Sequence, residues 1–77
     1  MRIVIDNLHQ DVTEDEIRKE LSSFAPVEKI ALIKEGSTPA AIIEMDMTRE
    51  KAEVLASRIQ GRIHKGKELR AFVPKFE

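Results

Sequence analysis

The segment from Thr38 to Met45 restricts the possible folds more than any other part of the chain. Its residues are mostly small or β-branched, it is shorter than a typical helix, and it follows a turn signal, so it predicts a β-strand. A strand with one face in water alternates apolar and polar residues, but the stretch from Ala40 to Ile43 is apolar at every position. Both faces of this strand are therefore expected to be covered, and what covers the second face is the main functional question.

The length and composition predict one small domain. The chain has 77 residues, enough for a single domain over residues 1–77 with a two-layer core. It contains no cysteine, so disulfides and thiolate metal ligands are excluded and a reducing setting is expected. The longest apolar runs are four residues and the first strand begins almost at Met1, so no membrane span and no signal peptide are expected. The expected location is intracellular, and cytoplasmic if the source is bacterial.

The first helix has a clear start signal after a short strand over Ile3–Ile5. Thr13 is placed as the N-cap residue, and Glu16 stands three residues later as its capping-box partner. Val12 and Ile17 occupy the two positions of a hydrophobic staple. The helix is therefore expected to begin directly after Thr13.

The end of this helix is predicted from a proline. Ile17, Leu21 and Phe24 form one apolar stripe, and Pro26 indicates that the helix ends at about Phe24. The remaining predicted elements are a strand over Val27–Lys34, a turn over residues 35–37, the strand over Thr38–Met45, a helix capped by Asp46 or Thr48 and ended by Gly61, a basic loop over residues 62–67, and a last strand over Leu69–Val73.

The order of elements is strand, helix, strand, strand, helix, strand. Right-handed crossovers and an antiparallel hairpin between strands two and three are satisfied together by a four-stranded antiparallel sheet in the order 4-1-3-2. This is an α+β, ferredoxin-like βαββαβ sandwich with both helices on one face. The side chains expected on the open face are those of Val4, Asp6, Ala31, Ile33, Ala40, Ile42, Glu44, Arg70 and Phe72.

The chain resembles the RNA-recognition motif family from Arg2 to about Val73. The first strand and the residues after it, Ile3–Leu8, look like the family's shorter signature. The segment Thr38–Met45 takes the place of its longer, aromatic-rich signature. The resemblance implies the same fold and single-stranded RNA as the ligand.

The base-stacking positions implied by this resemblance carry no rings. The family stacks bases at one position of the first signature and two of the second, and these are Val4, Ala40 and Ile42 here. Stacking is worth about 1 to 3 kcal/mol per base, so three missing rings remove about 3 to 9 kcal/mol from the usual binding mode. The basic residue and glycine that open the longer signature are replaced by Thr38 and Pro39. RNA binding is therefore expected to be weak or atypical.

The distribution of charge suggests where RNA would bind. The net charge is −1, but residues 58–77 carry six Lys and Arg against two Asp and Glu. One interpretation of this basic end is a solvated loop and a lysine-protected edge strand. The other is a phosphate-contacting rim built from Arg58, Arg62, Lys65, Lys67 and Arg70. In the second interpretation Asp6 and Glu44 on the open face would repel phosphates. The candidate RNA-binding residues are Asn7, Arg62, Lys65, Lys67, Arg70 and Phe72.

A protein-interaction module is the alternative. In this hypothesis the apolar open face is buried against a partner, a second copy of the chain, or the tail that carries Phe76. The candidate residues of this face are Val4, Ile33, Ala40, Ile42 and Phe72. A small-molecule regulatory domain of similar topology is a third class, for which the sequence has no ligand signature.

Catalytic and metal chemistry are not expected. His9 and His64 are predicted to lie in separate polar loops, to face solvent, and to have no further ligand at metal spacing. The glycines are isolated, so a phosphate-cradling loop is also not predicted. The chain is therefore expected to be a binding module without a metal, a cofactor or enzymatic activity.

Overall fold

The computed structural model describes residues 1–34 and 36–75. Within these ranges the elements in chain order are β1 (Arg2–Asp6), α1 (Glu14–Leu21), β2 (Val27–Ile33), β3 (Ala40–Met45), α2 (Arg49–Ile59), β4 (Ile63–His64), β5 (Lys67–Glu68) and β6 (Arg70–Phe72). Part of the predicted turn, at Glu35, and the tail residue Phe76 lie outside the described residues.

The main sheet has the predicted arrangement. Its order is β2-β3-β1-β6, and each pair of neighbouring strands is antiparallel. This is the expected order 4-1-3-2. The last strand is numbered β6 rather than β4 because an additional hairpin, β4–β5, comes before it in the chain. The ferredoxin-like α+β fold class is confirmed.

The core lies between the sheet and the two helices. Ile3, Ile43 and Met45 on the central strands are fully buried, because alternation turns them toward the helices. Helix α1 covers them with Ile17 and Leu21. Helix α2 contributes the buried residues Ala52, Leu55, Ala56 and Ile59, which recur at the predicted helical spacing.

The start of α1 is confirmed, although its capping box is only half formed. The hydroxyl of Thr13 accepts a hydrogen bond from the backbone N–H of Glu16 at 3.2 Å, and Val12 is buried beside the helix start. The carboxylate of Glu16 was expected to return to the cap. It lies instead against two histidines, which are described with the functional site.

The predicted end of α1 is wrong by three residues. The helix ends at Leu21, where the Ser22 hydroxyl donates to the carbonyl of Arg18. The N–H of Phe24 then donates to the carbonyl of Leu21 at 3.0 Å, which closes a tight turn before Pro26 is reached. Phe24 is consequently 48% exposed and does not belong to the buried stripe.

The second helix uses the later of its two possible caps. The Thr48 hydroxyl accepts from the N–H of Lys51 at 3.3 Å. At the other end, Gly61 takes a left-handed φ of 84°, as expected for the residue that follows a helix. Neither α1 nor α2, among the described residues, has the length and apolar character needed to cross a bilayer.

The segment predicted as a basic loop contains the hairpin β4–β5. Ile63 pairs with Glu68, and His64 pairs with Lys67. Lys65 and Gly66 between them have φ values of 52° and 81°, so two successive left-handed residues turn the chain, as in a two-residue hairpin. The Lys-Gly pair was the available signal for this turn.

The two outer strands of the main sheet are short or irregular. Strand β6 has three residues, against the five that were predicted. Strand β2 pairs with β3 through an irregular register between Val27 and Lys29, where a bulge interrupts the ladder.

We expect Thr13→Ala to lower the free energy of unfolding by about 0.5 to 2 kcal/mol, because the N–H of Glu16 loses its acceptor. Urea unfolding measures this change. The control Thr13→Ser keeps the hydroxyl and should retain most of the stability. An alanine variant as stable as the wild type would show that this cap does not stabilise the helix.

Candidate nucleic-acid interface

An apolar row crosses the outer face of the sheet, which is the face without helices. Phe72 on β6 stands beside Val4 on β1, Val4 stands beside Ile42 on β3, and Ile42 stands beside Ala31 on β2. These four residues, Phe72, Val4, Ile42 and Ala31, are called the outer row below. Phe72 at one end is 53% exposed.

The predicted protein-interaction residues also lie on this face. Ile33 is 41% exposed and pairs in register with Ala40, one step along the strands from the outer row. The structure therefore brings together Val4, Ile33, Ala40, Ile42 and Phe72 on one surface, as the alternation of the strands predicted. The suggested cover by Phe76 lies outside the described residues.

The carboxylates on the outer face have arginine partners. Arg70 Nη2 lies 2.8 Å from Asp6 Oδ2, and Arg2 Nε lies 3.5 Å from Glu44 Oε1. Lys29 also stands beside Glu44 in register. The expected repulsion of phosphates by Asp6 and Glu44 is therefore offset by neighbouring basic groups.

Arg2 and Lys29 were missed as candidates for the outer face. Arg2 alternates with the buried Ile3 and Ile5, so the strand period places its side chain outward. Their position could have been inferred from this alternation. The concentration of basic residues in positions 58–77 had instead pointed to the C-terminal part of the sequence.

Asn7 has a structural contact. Its φ is 64°, and its side-chain amide donates to the carbonyl of Glu68 at 2.8 Å. Its backbone N–H donates to Asp6 Oδ1 at 2.7 Å. Asn7 thus links the end of β1 to strand β5.

The predicted basic rim is divided between two sides of the domain. Arg70 lies on the outer face, but Lys65 Nζ is 3.5 Å from Glu16 Oε1 on α1. Arg62 lines a cleft of about 450 Å³ between α1 and the β4–β5 hairpin. Lys67 lies in β5, beside His64 in register. The structure therefore does not collect these cations into a single patch.

The two histidines lie close together, so the prediction that they occupy separate solvent-facing loops is wrong. Nε2 of His9 and Nε2 of His64 each lie 2.8 Å from the same oxygen, Oε2 of Glu16. Their ring centroids are 5.7 Å apart. The side chain of His9 is only 11% exposed. The β4–β5 hairpin brings His64 to α1, and this contact had no local signal in the sequence.

Both imidazoles lower the pKa of Glu16 to about 2 from the ordinary 4.5. The hydrogen bond to His64 is the largest cause, followed by the hydrogen bond to His9. Burial opposes the shift by raising the pKa, and the positive charges of His9 and Lys65 lower it further. Glu16 therefore remains ionised well into the acid range.

The fold and the match to a family model together define the class of protein. A four-stranded antiparallel sheet with two helices on one face and the other face open is the architecture of the RNA-recognition motif and of other ferredoxin-like domains. The family model of the RNA recognition motif matches residues 3–70. The chain therefore belongs to the RNA recognition motif family.

Solved structures agree with this assignment. The Pes4 RRM3 structure has a TM-score of 0.86 at 22% identity and covers 99% of this chain and 93% of its own. The Caenorhabditis elegans NONO-1 homodimer has a TM-score of 0.80 at 29% identity, and the match covers 95% of this chain and 28% of the NONO-1 chain. Plasmodium falciparum SR1-RRM1, solved in complex with ACAUCA RNA, has a TM-score of 0.73 at 26% identity. The match covers 95% of this chain and 82% of the SR1-RRM1 chain. A comparison with curated protein sequences gave no match.

The low pKa of Glu16 predicts a specific loss of stability in acid. The folded protein binds this proton more weakly than the unfolded chain, so the contribution is present above pH 4.5 and is lost as the pH falls toward about 2. Glu16→Gln should lower the free energy of unfolding by about 1 kcal/mol near neutral pH. Urea unfolding across this pH range should show the difference from wild type shrinking in acid.

Glu20→Gln is the matched control, because Glu20 is an exposed carboxylate on the same helix. This variant should follow the wild-type pH dependence. A difference between Glu16→Gln and wild type that stays constant from neutral pH to pH 2 would contradict the assignment.

Proposed function

We propose that this domain binds single-stranded RNA weakly on the outer face of its sheet. The supporting observation is the outer row, an apolar strip across four strands with basic side chains along its borders. Bases can pack on such a strip while phosphates contact the bordering cations. The 26% identical SR1-RRM1, which was solved with RNA, supports the ligand class.

The contacts proposed for RNA differ in kind. Phe72 is the one exposed ring of the outer row and would stack on one base. Arg70 would contact phosphate beside it while remaining close to Asp6. Lys67, together with Arg62 and Lys65 nearer the helix side, would add longer-range attraction. Asn7 would act indirectly, by holding β5 beside the end of β1.

The affinity is expected to be low and dependent on salt. Val4, Ala40 and Ile42 stand where the family carries rings, so one base stacked on Phe72 would replace three. Binding then depends strongly on phosphate contacts, for which dissociation constants of about 10⁻⁴ to 10⁻⁶ M are typical at physiological salt. The family consists generally of binding domains, so no catalysis is proposed. The expected intracellular location goes with this proposal and stays a prediction.

Fluorescence anisotropy with a labelled random single-stranded RNA pool tests the proposal. Phe72→Ala should weaken binding about fivefold or more, because the stacking ring is removed. Phe24→Ala is the matched control, since Phe24 is a comparably exposed ring on the helix side. It should bind as the wild type does.

Charge variants separate the two sides of the domain. Arg70→Ala should weaken binding more than Arg62→Ala, and both effects should shrink at high salt. The double variant Asp6→Asn/Arg70→Ala distinguishes a lost phosphate contact from an unpaired Asp6, because it leaves no carboxylate behind. Wild-type binding by Phe72→Ala, or equal losses from Arg62→Ala and Arg70→Ala, would contradict binding on the outer face.

A protein contact on the same face is the second candidate. It is favoured by the exposure of Ile33 and Phe72 around the outer row, because aliphatic and aromatic residues of this kind form interface cores. The partner would be another protein or a second copy of the chain. RNA and protein would then compete for one surface.

We expect Ile42→Lys to abolish self-association if the second candidate is correct, because a charge would be placed in the middle of the outer row. Light scattering over a wide concentration range measures it. Val54→Lys is the control, since Val54 is an exposed residue on α2. A wild-type protein that stays monomeric and captures no protein partner would make this second candidate wrong.

A further inference from the structure

Three side chains from separate parts of the chain point their polar atoms at one position. His9 comes from the loop after β1, Glu16 from the first turn of α1, and His64 from β4. Their ligand atoms all lie within 4.8 Å of one another. Two imidazoles present the same ring nitrogen, Nε2, to a single carboxylate oxygen.

We propose that His9, Glu16 and His64 form a binding site for one divalent ion of the Zn²⁺ type. Two imidazole nitrogens and one carboxylate oxygen are a ligand set that Zn²⁺ accepts, whereas Ca²⁺ and Mg²⁺ prefer oxygen ligands alone. Thiolate ligands are excluded, since the chain has no cysteine.

Metal binding would require the three side chains to move by small distances. Zn²⁺ binds such ligands at about 2.0 to 2.2 Å, so two ligand atoms of a tetrahedral site are about 3.3 Å apart. The two nitrogens each lie 2.8 Å from Glu16 Oε2. To form a coordination shell these two contacts would lengthen by about half an ångström, and the ligand atoms, which lie within 4.8 Å of one another, would close around the ion.

The surroundings leave room for water as a fourth ligand. His64 is 32% exposed and Glu16 is 21% exposed, so solvent reaches one side of the cluster. The side chain of His9 is more buried than the other two. Three protein ligands and one open position describe an accessible site rather than a closed structural one.

The side chain of Lys65 opposes the binding of a metal ion at this site. Its Nζ lies 3.5 Å from Glu16 Oε1, so a positive charge stands next to the proposed ion. This charge lowers the affinity for a cation but leaves Oε2 directed at the histidines. Removal of the Lys65 charge should therefore tighten metal binding, an effect opposite in sign to that of losing a ligand.

A bound ion would join the loop after β1, helix α1 and the β4–β5 hairpin. Because this arrangement exists only in the folded chain, the ion would stabilise the folded state in proportion to the logarithm of its concentration. The stabilisation gives a measurement that does not depend on any RNA-binding activity.

Isothermal titration calorimetry with ZnCl₂ on the metal-free protein tests the site. We expect one ion per chain with micromolar affinity, and a melting temperature that rises with Zn²⁺. His9→Gln and His64→Gln should each weaken binding by at least about tenfold. These are the two histidines of the chain, so the double variant removes all imidazole ligands. Lys65→Ala should bind several-fold more tightly than wild type.

Visible absorption of the Co²⁺-loaded protein is the second measurement, which reports coordination even where a variant is less stable. Intense tetrahedral bands in the wild type that are lost in both single histidine variants support the site. Unchanged affinity in either histidine variant, binding of several weak ions per chain, or no binding at millimolar Zn²⁺ would overturn it. Glu20→Gln serves as the control and should bind as the wild type does.

Discussion

The pairing of β1 with β3 at the centre of the sheet determines the rest of the structure. Ile3 and Ile43 are register partners, and both are completely buried under the helices. Because side chains alternate along a strand, burying this pair turns Val4 and Ile42 outward beside each other. The apolar outer face is therefore a geometric consequence of two strands whose residues are apolar in succession. Strands β1 and β3 thus supply both the central part of the core and the apolar residues of the outer face.

Sequence reasoning succeeded where the information is local. Strand alternation in β1 and β3, the hydroxyl caps at Thr13 and Thr48, and the topology rules were sufficient for the fold and for the apolar residues of the outer face. It failed where a contact joins distant residues. Glu16 meets a histidine 7 residues before it and another 48 residues after it, and no periodicity connects such positions. The early end of α1 was missed because a turn through Phe24 competes with the proline signal. The charge pairs of the outer face depend on register, which composition does not specify.

The β4–β5 hairpin depends on residues that precede it by most of the chain. Each of its strands has two residues, too few for independent stability. Asn7 holds it at Glu68 from one side, and Glu16 holds it at His64 from the other. The loop after β1 and the first turn of α1 thus fix the hairpin's position. These two contacts help to position Lys65 and Lys67 relative to the sheet. The placement of basic residues late in the sequence therefore depends on Asn7 and Glu16 near its start.

The irregular outer strands have a consequence for how the molecule behaves at high concentration. An exposed sheet edge is a template on which another chain can add a strand, which is a common route to aggregation. Here the bulge near Lys29 interrupts the ladder of β2, and β6 offers only three residues at the opposite edge. Among the described residues, neither edge strand presents a long, uninterrupted row of free backbone groups. These edges offer few positions for strand addition, so contact through the open apolar face is favoured over edge-to-edge growth.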